Sequence, residues 1–333
     1  MYMKILVTGG AGYIGSHTCV KLIEQGYEVA IYDDLSNSKF EAVERIGRIT
    51  GKKPLFFKAD ILDRVSLDDA FDTFKPDAVI HFAGKKAVGE SVAKPLMYYH
   101  NNITGTLQLL YAMRDHGCKK IVFSSSATVY GTPETVPVSE DFPLSYTNPY
   151  GGTKLMIEYI LNDLYVSDNE WSIVILRYFN PIGAHESGLL GDDPNGIPNN
   201  LMPYITRVAK GILPELKVFG NDYDTHDGTG VRDYIHVLDL AQGHIDAINH
   251  MSEPGVQIYN LGTGKGYSVL DLVNAFEHAT GIHIPYTVTD RRPGDVAVNY
   301  ADPSKAEKCI GFKATHTLED MCRSAWNFER NNQ

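Results

Sequence analysis

Short apolar runs alternate with longer segments of helical length through the first half of the chain. The runs lack the apolar/polar alternation of a half-exposed strand, and they resemble strands buried on both faces of a parallel sheet. The predicted strands are Lys4–Thr8, 29–32, 55–58, 78–82, 121–124 and 173–176, and the predicted helices include 16–25, 66–74, 98–116 and 150–164.

The repeated strand–helix order predicts a doubly wound α/β domain with right-handed connections. The rhythm changes after Asn180, where the segment 181–200 is rich in Gly, Pro, Asn and Asp. We therefore expect a first domain over 1–180 and a smaller mixed α/β domain over 181–333, with some interleaving of elements. The elements predicted in the second part are helices at 201–210, 237–249, 269–280 and from Leu318, and a strand at 257–260.

Composition narrows the function classes. Hydrophobic residues make up 43% and charged residues 21% of the 333 residues, which is typical of a globular protein. The net charge of -11 comes without a block of Lys and Arg, so neither nucleic acid nor a membrane is an expected partner. The cysteines Cys19, Cys118, Cys309 and Cys322 are widely spaced and are interpreted as reduced packing residues, and with no long apolar run the expected location is the cytoplasm.

A glycine-rich turn follows the first predicted strand directly. Residues 9–15 read Gly-Gly-Ala-Gly-Tyr-Ile-Gly, and the glycines let the backbone approach a pyrophosphate at the start of the next helix. Asp33 ends the second strand, where a carboxylate can accept hydrogen bonds from an adenosine ribose and repel a 2′-phosphate. These features predict a Rossmann-like site for NAD rather than NADP. The segments Asp60-Ile61 and 82–84 (Phe-Ala-Gly) follow later strands and reach the same sheet edge.

Candidate catalytic residues lie near the end of this domain. Tyr150 begins a predicted helix and Lys154 follows it by four residues, so both side chains share one face. An ammonium beside the phenol is expected to lower the pKa of Tyr150 and to make it a general base. The fifth strand brings Ser126 to the same edge, where its hydroxyl can bind the reacting oxygen. This trio suits hydride transfer at an alcohol carbon.

Together these motifs resemble the extended short-chain dehydrogenase/reductase family, and the stretches 8–17, 81–91, 124–131, 176–181 and 228–236 resemble its UDP-galactose 4-epimerase branch. The resemblance implies a UDP-hexose substrate, with Arg232 and Arg292 on the diphosphate, Phe219 against uracil and Asp295 on the ribose. The implied cofactor contacts are Gly9, Gly12, Tyr13, Ile14, Gly15, Asp33, Asp34, Asn37, Asp60, Ile61, Phe82, Ala83, Gly84, Lys86, Asn101, Ser124, Tyr150, Lys154 and Tyr178. The implied substrate contacts are Ser126, Tyr150, Asn180, Asn200, Leu201, Phe219, Arg232, Arg292, Asp295 and Asn299.

The implied reaction inverts the 4-hydroxyl of the hexose. Tyr150 takes the proton from O4 while NAD takes a hydride from C4. The 4-keto sugar then rotates to present its other face, and the hydride and the proton are returned there. Dehydratases and decarboxylases of the family carry acidic residues just after the serine, where this chain has Ala127 and Thr128. Another nucleotide-sugar epimerase or a dehydratase, and a non-catalytic NAD-binding protein, are the competing hypotheses.

The sequence leaves the acceptance of N-acetylated UDP-hexoses open. Asn299 stands where related epimerases often have Tyr or a smaller residue, and a slip of one position would put Tyr300 there. The resemblance also implies a homodimer packed through helices near 98–116 and 150–164. The histidines, including His81 and His236, are assigned packing roles, and we predict no metal site because no two of them have ligand spacing.

Overall fold

The strands predicted in the first half of the chain pair in parallel within one seven-stranded sheet. The computed structural model describes residues 3–196, 198, 200–292 and 295–332. The strands are β1 (Lys4–Thr8), β2 (Glu28–Tyr32), β3 (Leu55–Phe57), β4 (Ala78–His81), β5 (Lys120–Ser126), β6 (Ser172–Tyr178), β7 (Asn180–Ile182), β8 (Leu216–Phe219), β9 (Val231–Arg232), β10 (Tyr234–His236), β11 (Gly255–Leu261), β12 (Tyr267–Ser268), β13 (Tyr286–Thr289) and β14 (Val298–Asn299).

The main sheet has helices on both faces, which confirms the doubly wound α/β class. Its strand order is β11-β6-β5-β4-β1-β2-β3, and apolar side chains from its two faces form two separate core clusters with the flanking helices. The helices are α1 (Tyr13–Glu24), α2 (Phe40–Thr50), α3 (Arg64–Phe74), α4 (Val88–Ala93), α5 (Pro95–Tyr98), α6 (Gly105–Asp115), α7 (Pro149–Ser167), α8 (Leu201–Ala209), α9 (Val237–Asn249), α10 (Val269–Thr280), α11 (Ser304–Ile310) and α12 (Leu318–Asn331).

A smaller unit of short sheets and helices follows β6. It contains the pairs β7–β10 and β8–β13 and the three-stranded sheet β12-β9-β14, with α8, α10 and α12 around a core of their own. Two elements after residue 180 nevertheless belong to the first unit, because β11 extends the main sheet beside β6 and α9 packs on the same core cluster as α1. The two units are therefore interleaved along the chain.

Three element boundaries differ from the sequence-based prediction in ways that shape the site. Helix α1 begins at Tyr13, directly on the glycine turn, and β5 runs to Ser126 rather than ending at residue 124. The helix predicted over 98–116 is interrupted by a π-helical turn, Tyr99–Thr104. Such turns insert a residue and redirect the side chains around it, and they often occur at functional sites.

The four cysteines are all free. Cys19, Cys118 and Cys322 are buried in apolar surroundings, as expected for packing residues. Cys309 is exposed on α11, so the packing role predicted for it is wrong. Within the ranges described here, none of the helices is long and apolar enough to cross a membrane.

Candidate active site

A cleft of about 1860 Å³ opens along the carboxyl ends of the parallel strands, between the main sheet and the smaller unit. This is where open α/β sheets bind ligands. All residues predicted to contact cofactor or substrate line this cleft except Ser124. The fold thus brings segments from both halves of the chain to one continuous site.

The glycine turn forms one end of the cleft. Gly9 has a φ of +70°, and a Cβ there would lie 2.7 Å from the backbone nitrogen of Ala83, so a side chain is excluded on two grounds. A Cβ on Gly15 would lie 2.3 Å from the carbonyl oxygen of Gly9. The close packing of these backbones leaves the start of α1 bare toward the cleft.

This bare helix end fits a dinucleotide pyrophosphate. The N-cap of α1 is Gly12, and no side chain caps the first turn. The free N–H groups of a helix start, together with the positive end of its dipole, favour a phosphate. Tyr13 is oriented by its hydroxyl, which donates to the carbonyl of Gly183 at 2.6 Å.

Asp33 follows β2 and is buried beside the turn. Its carboxylate accepts hydrogen bonds from the backbone N–H groups of Ala11 at 3.0 Å and Leu35 at 2.9 Å and from the Ser38 hydroxyl at 2.7 Å. Burial raises the pKa of Asp33, and these hydrogen bonds act against that rise. The carboxylate therefore holds the glycine turn in place while it lines the cleft. Its negative charge there disfavours a 2′-phosphate.

The remaining predicted cofactor residues reach the cleft from the ends of neighbouring strands and from the π-helical turn. Asp60 accepts a hydrogen bond from the N–H of Leu62 at 2.9 Å, which shapes the loop after β3. Asn101 lies in the π-helical turn and donates to the side chain of Asn102 at 3.0 Å. The others that line the cleft are Ile14, Asp34, Asn37, Ile61, Phe82, Ala83, Gly84 and Lys86.

Ser126, Tyr150 and Lys154 converge at the middle of the cleft. Ser126 is the last residue of β5, while Tyr150 lies in the first turn of α7, whose N-cap Asn148 accepts from the N–H of Gly151 at 3.0 Å. The three side chains are largely buried. A hydroxyl, a phenol and an amine at one enclosed point can handle a proton on an alcohol oxygen.

The expected effect of Lys154 on Tyr150 is not what the structure shows. Burial raises the pKa of the Tyr150 phenol, a hydrogen bond with Ser126 acts in the opposite direction, and Lys154 is not among the causes. The reason is geometric, because the Lys154 Nζ donates to the backbone carbonyl of Ser124 at 2.7 Å. Burial lowers the pKa of Lys154 itself to about 8.

Ser124 lies behind the cleft rather than in it. Its side chain is buried, and its hydroxyl donates to the Tyr178 hydroxyl at 2.9 Å. Tyr178 itself lines the cleft. The cofactor contact of Ser124 stays a prediction, and within the protein its carbonyl holds Lys154 while its hydroxyl holds Tyr178.

The other end of the cleft carries two cations and an aromatic ring. Arg292 stacks over the ring of Phe219 with its guanidinium carbon 4.8 Å from the centroid, and its Nε donates to Asp295 at 2.9 Å. Arg232 lies 3.9 Å from the same carboxylate. Paired arginines beside an aromatic wall suit a nucleoside diphosphate. Asp295, predicted as a ribose acceptor, also orients both arginines.

Between the two ends, Asn180, Asn200 and Leu201 line the cleft. Asn200 precedes α8 and donates to Asp192 at 2.9 Å, and Leu201 is the first residue of that helix. The structure also shows which of Asn299 and Tyr300 lines the cleft. Asn299 faces the cleft with a buried Oδ1 that has no hydrogen-bond partner among the described atoms, whereas the Tyr300 ring packs near Gly266.

Sequence reasoning missed two buried polar residues that hold the site together. The Asn102 amide bonds to the backbone of Lys85, on the cofactor side, and donates to the Thr153 hydroxyl at 3.0 Å, which in turn donates to the carbonyl of Tyr150. Asp233 follows Arg232 and fixes the loops at Thr263 and beyond. No local pattern marks Asn102, but an acidic residue within a run of strand-forming residues is a usable signal for Asp233.

His81 and His236 behave as packing and capping groups, whereas His226 and His283 are exposed, so the packing role predicted for the histidines is wrong for these two. His81 is buried and bonded to the hydroxyls of Thr8 at 2.7 Å and Thr106 at 2.8 Å, and His236 caps α9. Three side chains with ligand atoms, His226, Asp227 and Asp271, approach one another at the surface. Both carboxylates are already used locally, Asp227 by Thr229 and Asp271 in the capping box of α10.

Comparison with known proteins agrees with this geometry. The profile of the family described as GDP-mannose 4,6 dehydratase matches residues 6–325. The chain is 61% identical over 331 residues to the UDP-glucose 4-epimerase of Bacillus subtilis, covering 99% of this chain and 98% of that one. It is 60% identical to the Dictyostelium discoideum UDP-glucose 4-epimerase, covering 98% and 95%. The crystal structure of the Bifidobacterium longum UDP-glucose 4-epimerase, in complex with NAD+ and UDP, superimposes with a TM-score of 0.97 at 55% identity over 99% of each chain.

Proposed function

The chain belongs to the UDP-glucose 4-epimerase family, and from that membership we propose that it interconverts UDP-glucose and UDP-galactose with NAD as its cofactor. One observation carries the proposal. A single cleft joins a glycine turn with a bare helix start, the Ser126–Tyr150–Lys154 cluster and the Arg232–Arg292 pair. A dinucleotide and a nucleotide sugar can therefore meet at one proton-transferring centre.

The residues of the first unit fit NAD. The start of α1 and the glycine turn would hold the pyrophosphate, and Asp33 would accept from the adenosine ribose. When bound, NAD supplies the acceptor and donor for the hydride at C4 of the sugar. Asn101 and Tyr178 line the adjoining part of the cleft and would contact the nicotinamide half.

The proton is handled by the chain itself. Tyr150 accepts the proton of the 4-hydroxyl as the sugar is oxidised to its 4-ketone, and Ser126 hydrogen-bonds the reacting oxygen. The same phenol returns the proton after the ketone presents its other face. Burial disfavours the phenolate, and the hydrogen bond with Ser126 acts against this effect. We assign the remaining stabilisation of the reacting state to the buried Lys154 amine. Anchoring through Phe219, Arg232 and Arg292 lets UDP provide specificity while the hexose is free to turn.

The residues after Ser126 favour epimerisation over elimination. Ala127 and Thr128 occupy the positions at which a dehydratase needs acidic groups, and both line the cleft. Neither side chain is an effective acid or base at neutral pH. These residues therefore support re-reduction of the ketone at C4 over loss of water from the sugar.

We also propose a homodimer and a cytoplasmic location. The dimer is supported by exposed apolar side chains on adjacent helices of the first unit, including Leu96 at 82%, Tyr159 at 54% and Val166 at 74% exposure. Free cysteines support a reducing compartment.

The test uses the purified protein with UDP-galactose and no added reductant, and follows UDP-glucose by chromatography. Wild type should reach a mixture of the two sugars without net reduction of the cofactor. Tyr150→Phe should lower the rate by about 10²–10⁴-fold, because the ring remains but the proton acceptor is gone. Tyr286→Phe, at an exposed tyrosine of β13, should behave as wild type. Absence of conversion by a wild-type protein that retains NAD would reject the substrate assignment.

A further inference from the structure

Three polar side chains of α7 share one face of the helix. Tyr150, Lys154 and Glu158 follow one another at four-residue intervals, which places them in line toward β5 and β6. Tyr150 and Lys154 line the cleft, whereas Glu158 lies beneath it and is 4% exposed. Its carboxylate touches neither the cofactor side nor the substrate side of the cleft.

Glu158 is the centre of a buried ion pair. Its carboxylate accepts from the guanidinium of Arg177 at 2.7 Å and 3.1 Å, and it accepts from the Ser125 hydroxyl at 2.5 Å. Arg177 is 2% exposed, and its remaining N–H groups donate to the Tyr130 hydroxyl at 3.1 Å and to the carbonyl of Glu140 at 3.2 Å. Every charged atom of the pair is thus engaged.

The partners of Glu158 sit between the catalytic groups. Ser125 separates Ser124, whose carbonyl holds Lys154, from Ser126, and it pairs across the sheet with Arg177. Arg177 precedes Tyr178, which is bonded to Ser124. Because alternate side chains of a strand point to opposite faces, the carboxylate binds the back of a segment whose front carries Ser126.

A buried ion pair is a poor source of stability, since desolvation of both charges offsets most of their attraction. A well-packed apolar pair could join α7 to the sheet at lower cost. A charge at this place does have a chemical consequence, because Glu158 is one turn of helix from Lys154. Burial lowers the pKa of Lys154, and the charge of Glu158 acts against that effect.

We propose that Glu158 is a positioning residue of the reaction, which ties α7 to the ends of β5 and β6 and so keeps the Lys154 amine charged and in register with Ser126 and Tyr150. This role rests on the proposed function. Arg177 completes it by holding the carboxylate in place and by linking it to Tyr130.

The test compares Glu158→Gln, Glu158→Asp and, as a matched loss of one carboxylate, Asp163→Asn at an exposed position of the same helix. The rates of UDP-galactose epimerisation give kcat and KM across pH. Glu158→Gln should lower kcat by about 10–100-fold with KM changed less than about threefold, since the nucleotide-binding residues lie elsewhere. The fall of kcat at alkaline pH should begin at lower pH, because Lys154 loses its proton more easily.

The other groups around Lys154 are unchanged in these variants. They are Tyr150 on the same helix and His81 on β4. Further out on β6, Tyr178 faces Tyr150, and Arg177 pairs with Glu158. Glu158→Asp keeps the negative charge but shortens the side chain. The pH at which kcat falls on the alkaline side should therefore match wild type, while kcat itself is lower. Asp163→Asn should match wild type throughout.

A folded Glu158→Gln protein with the wild-type kcat and pH profile would overturn the role. If that variant does not fold, a wild-type kcat in Glu158→Asp would overturn it instead. An inactive wild-type protein would reject the proposed function and this role with it, whereas an active wild type beside an indifferent Glu158→Gln rejects the role alone.

Discussion

The Lys154 amine is held where its charge is unfavourable. It is buried, and its hydrogen bond to the carbonyl of Ser124 replaces only part of its lost hydration. An enzyme needs such a group for chemistry, and sites of this kind commonly lower stability in exchange for activity. Burial lowers the pKa of Lys154 from its ordinary value near 10.5 to about 8, which reflects the unfavourable placement of the charge.

Replacing the amine should separate stability from activity. Between pH 8 and 10.5 the unfolded chain binds the lysine proton more tightly than the folded protein does, so the stability of wild type should rise with pH in this window. Lys154→Met should therefore unfold at higher urea at pH 7, with a gain of about 1–3 kcal/mol that shrinks toward pH 10.5, and its kcat should fall by at least about tenfold. Lys308→Met, at an exposed position, should show no such pH-dependent gain. A Lys154→Met protein less stable than wild type at pH 7 would contradict this account.

Among elements, one carboxylate fixes the short strands that present the groups proposed to bind the nucleotide. Asp233 lies between β9 and β10 and is fully buried. It accepts hydrogen bonds from the N–H groups of Thr263 at 2.8 Å, Gly264 at 3.1 Å and Ala301 at 3.1 Å, and from the Thr263 hydroxyl. Strands of two or three residues have too few backbone hydrogen bonds to fix their register alone. The hydrogen bonds to this carboxylate therefore hold the strands in register.

Asp233→Asn should weaken both folding and nucleotide binding. The amide would turn one acceptor into a donor facing backbone N–H groups, at a cost of about 2–4 kcal/mol in the free energy of unfolding. Arg232 and Asn299 lie on the strands that Asp233 fixes, so the Kd for UDP should rise as well. Urea unfolding and calorimetric titration with UDP measure the two effects. Asp224→Asn, at an exposed loop position, should change neither, and equal effects of the two substitutions would refute the argument.

At the scale of the whole molecule, most of the large apolar side chains that are exposed among the described residues lie on helices of the first unit. Tyr111 on α6 and Tyr159 on α7 are 45% and 54% exposed, and Leu96 and Val92 lie on the neighbouring α5 and α4. Exposed apolar side chains grouped on helices that pack together, as α4, α5 and α7 do, often mark an interface. A symmetric dimer would bury the same patch on both copies.

Tyr159→Arg should shift the proposed dimer toward monomer, because a symmetric contact would place two new charges against apolar surface. Sedimentation velocity over a range of protein concentrations would show at least a tenfold rise in the dimer dissociation constant. Tyr286→Arg supplies the same substitution at a 44% exposed tyrosine of the smaller unit and should leave the mass unchanged. Dimers of equal strength in both variants would exclude α7 from the interface.

Local patterns along the chain were sufficient for the doubly wound sheet and for most of the cleft. The buried strands β1, β2, β4, β5 and β6, the glycine turn and the Tyr150–Lys154 spacing are each short-range features. They are determined by burial on both faces, by backbone freedom and by helical periodicity. Because parallel strands deliver their following residues to one edge, the sequence alone also placed Asp33, Phe82 and Ser126 at a common site.

Tertiary structure decided whatever depends on contacts between distant segments. The strand predicted at 257–260 could belong to either unit, and its pairing with β6 assigned β11 to the main sheet. Burial of the phenol reversed the expected direction of the pKa shift of Tyr150, and a carbonyl on another strand holds the Lys154 amine. Asn299 rather than Tyr300 faces the cleft because β14 pairs with β9 in one register. Periodicity along the chain carries no information on these choices, since desolvation and hydrogen bonding depend on which groups the folded chain brings together.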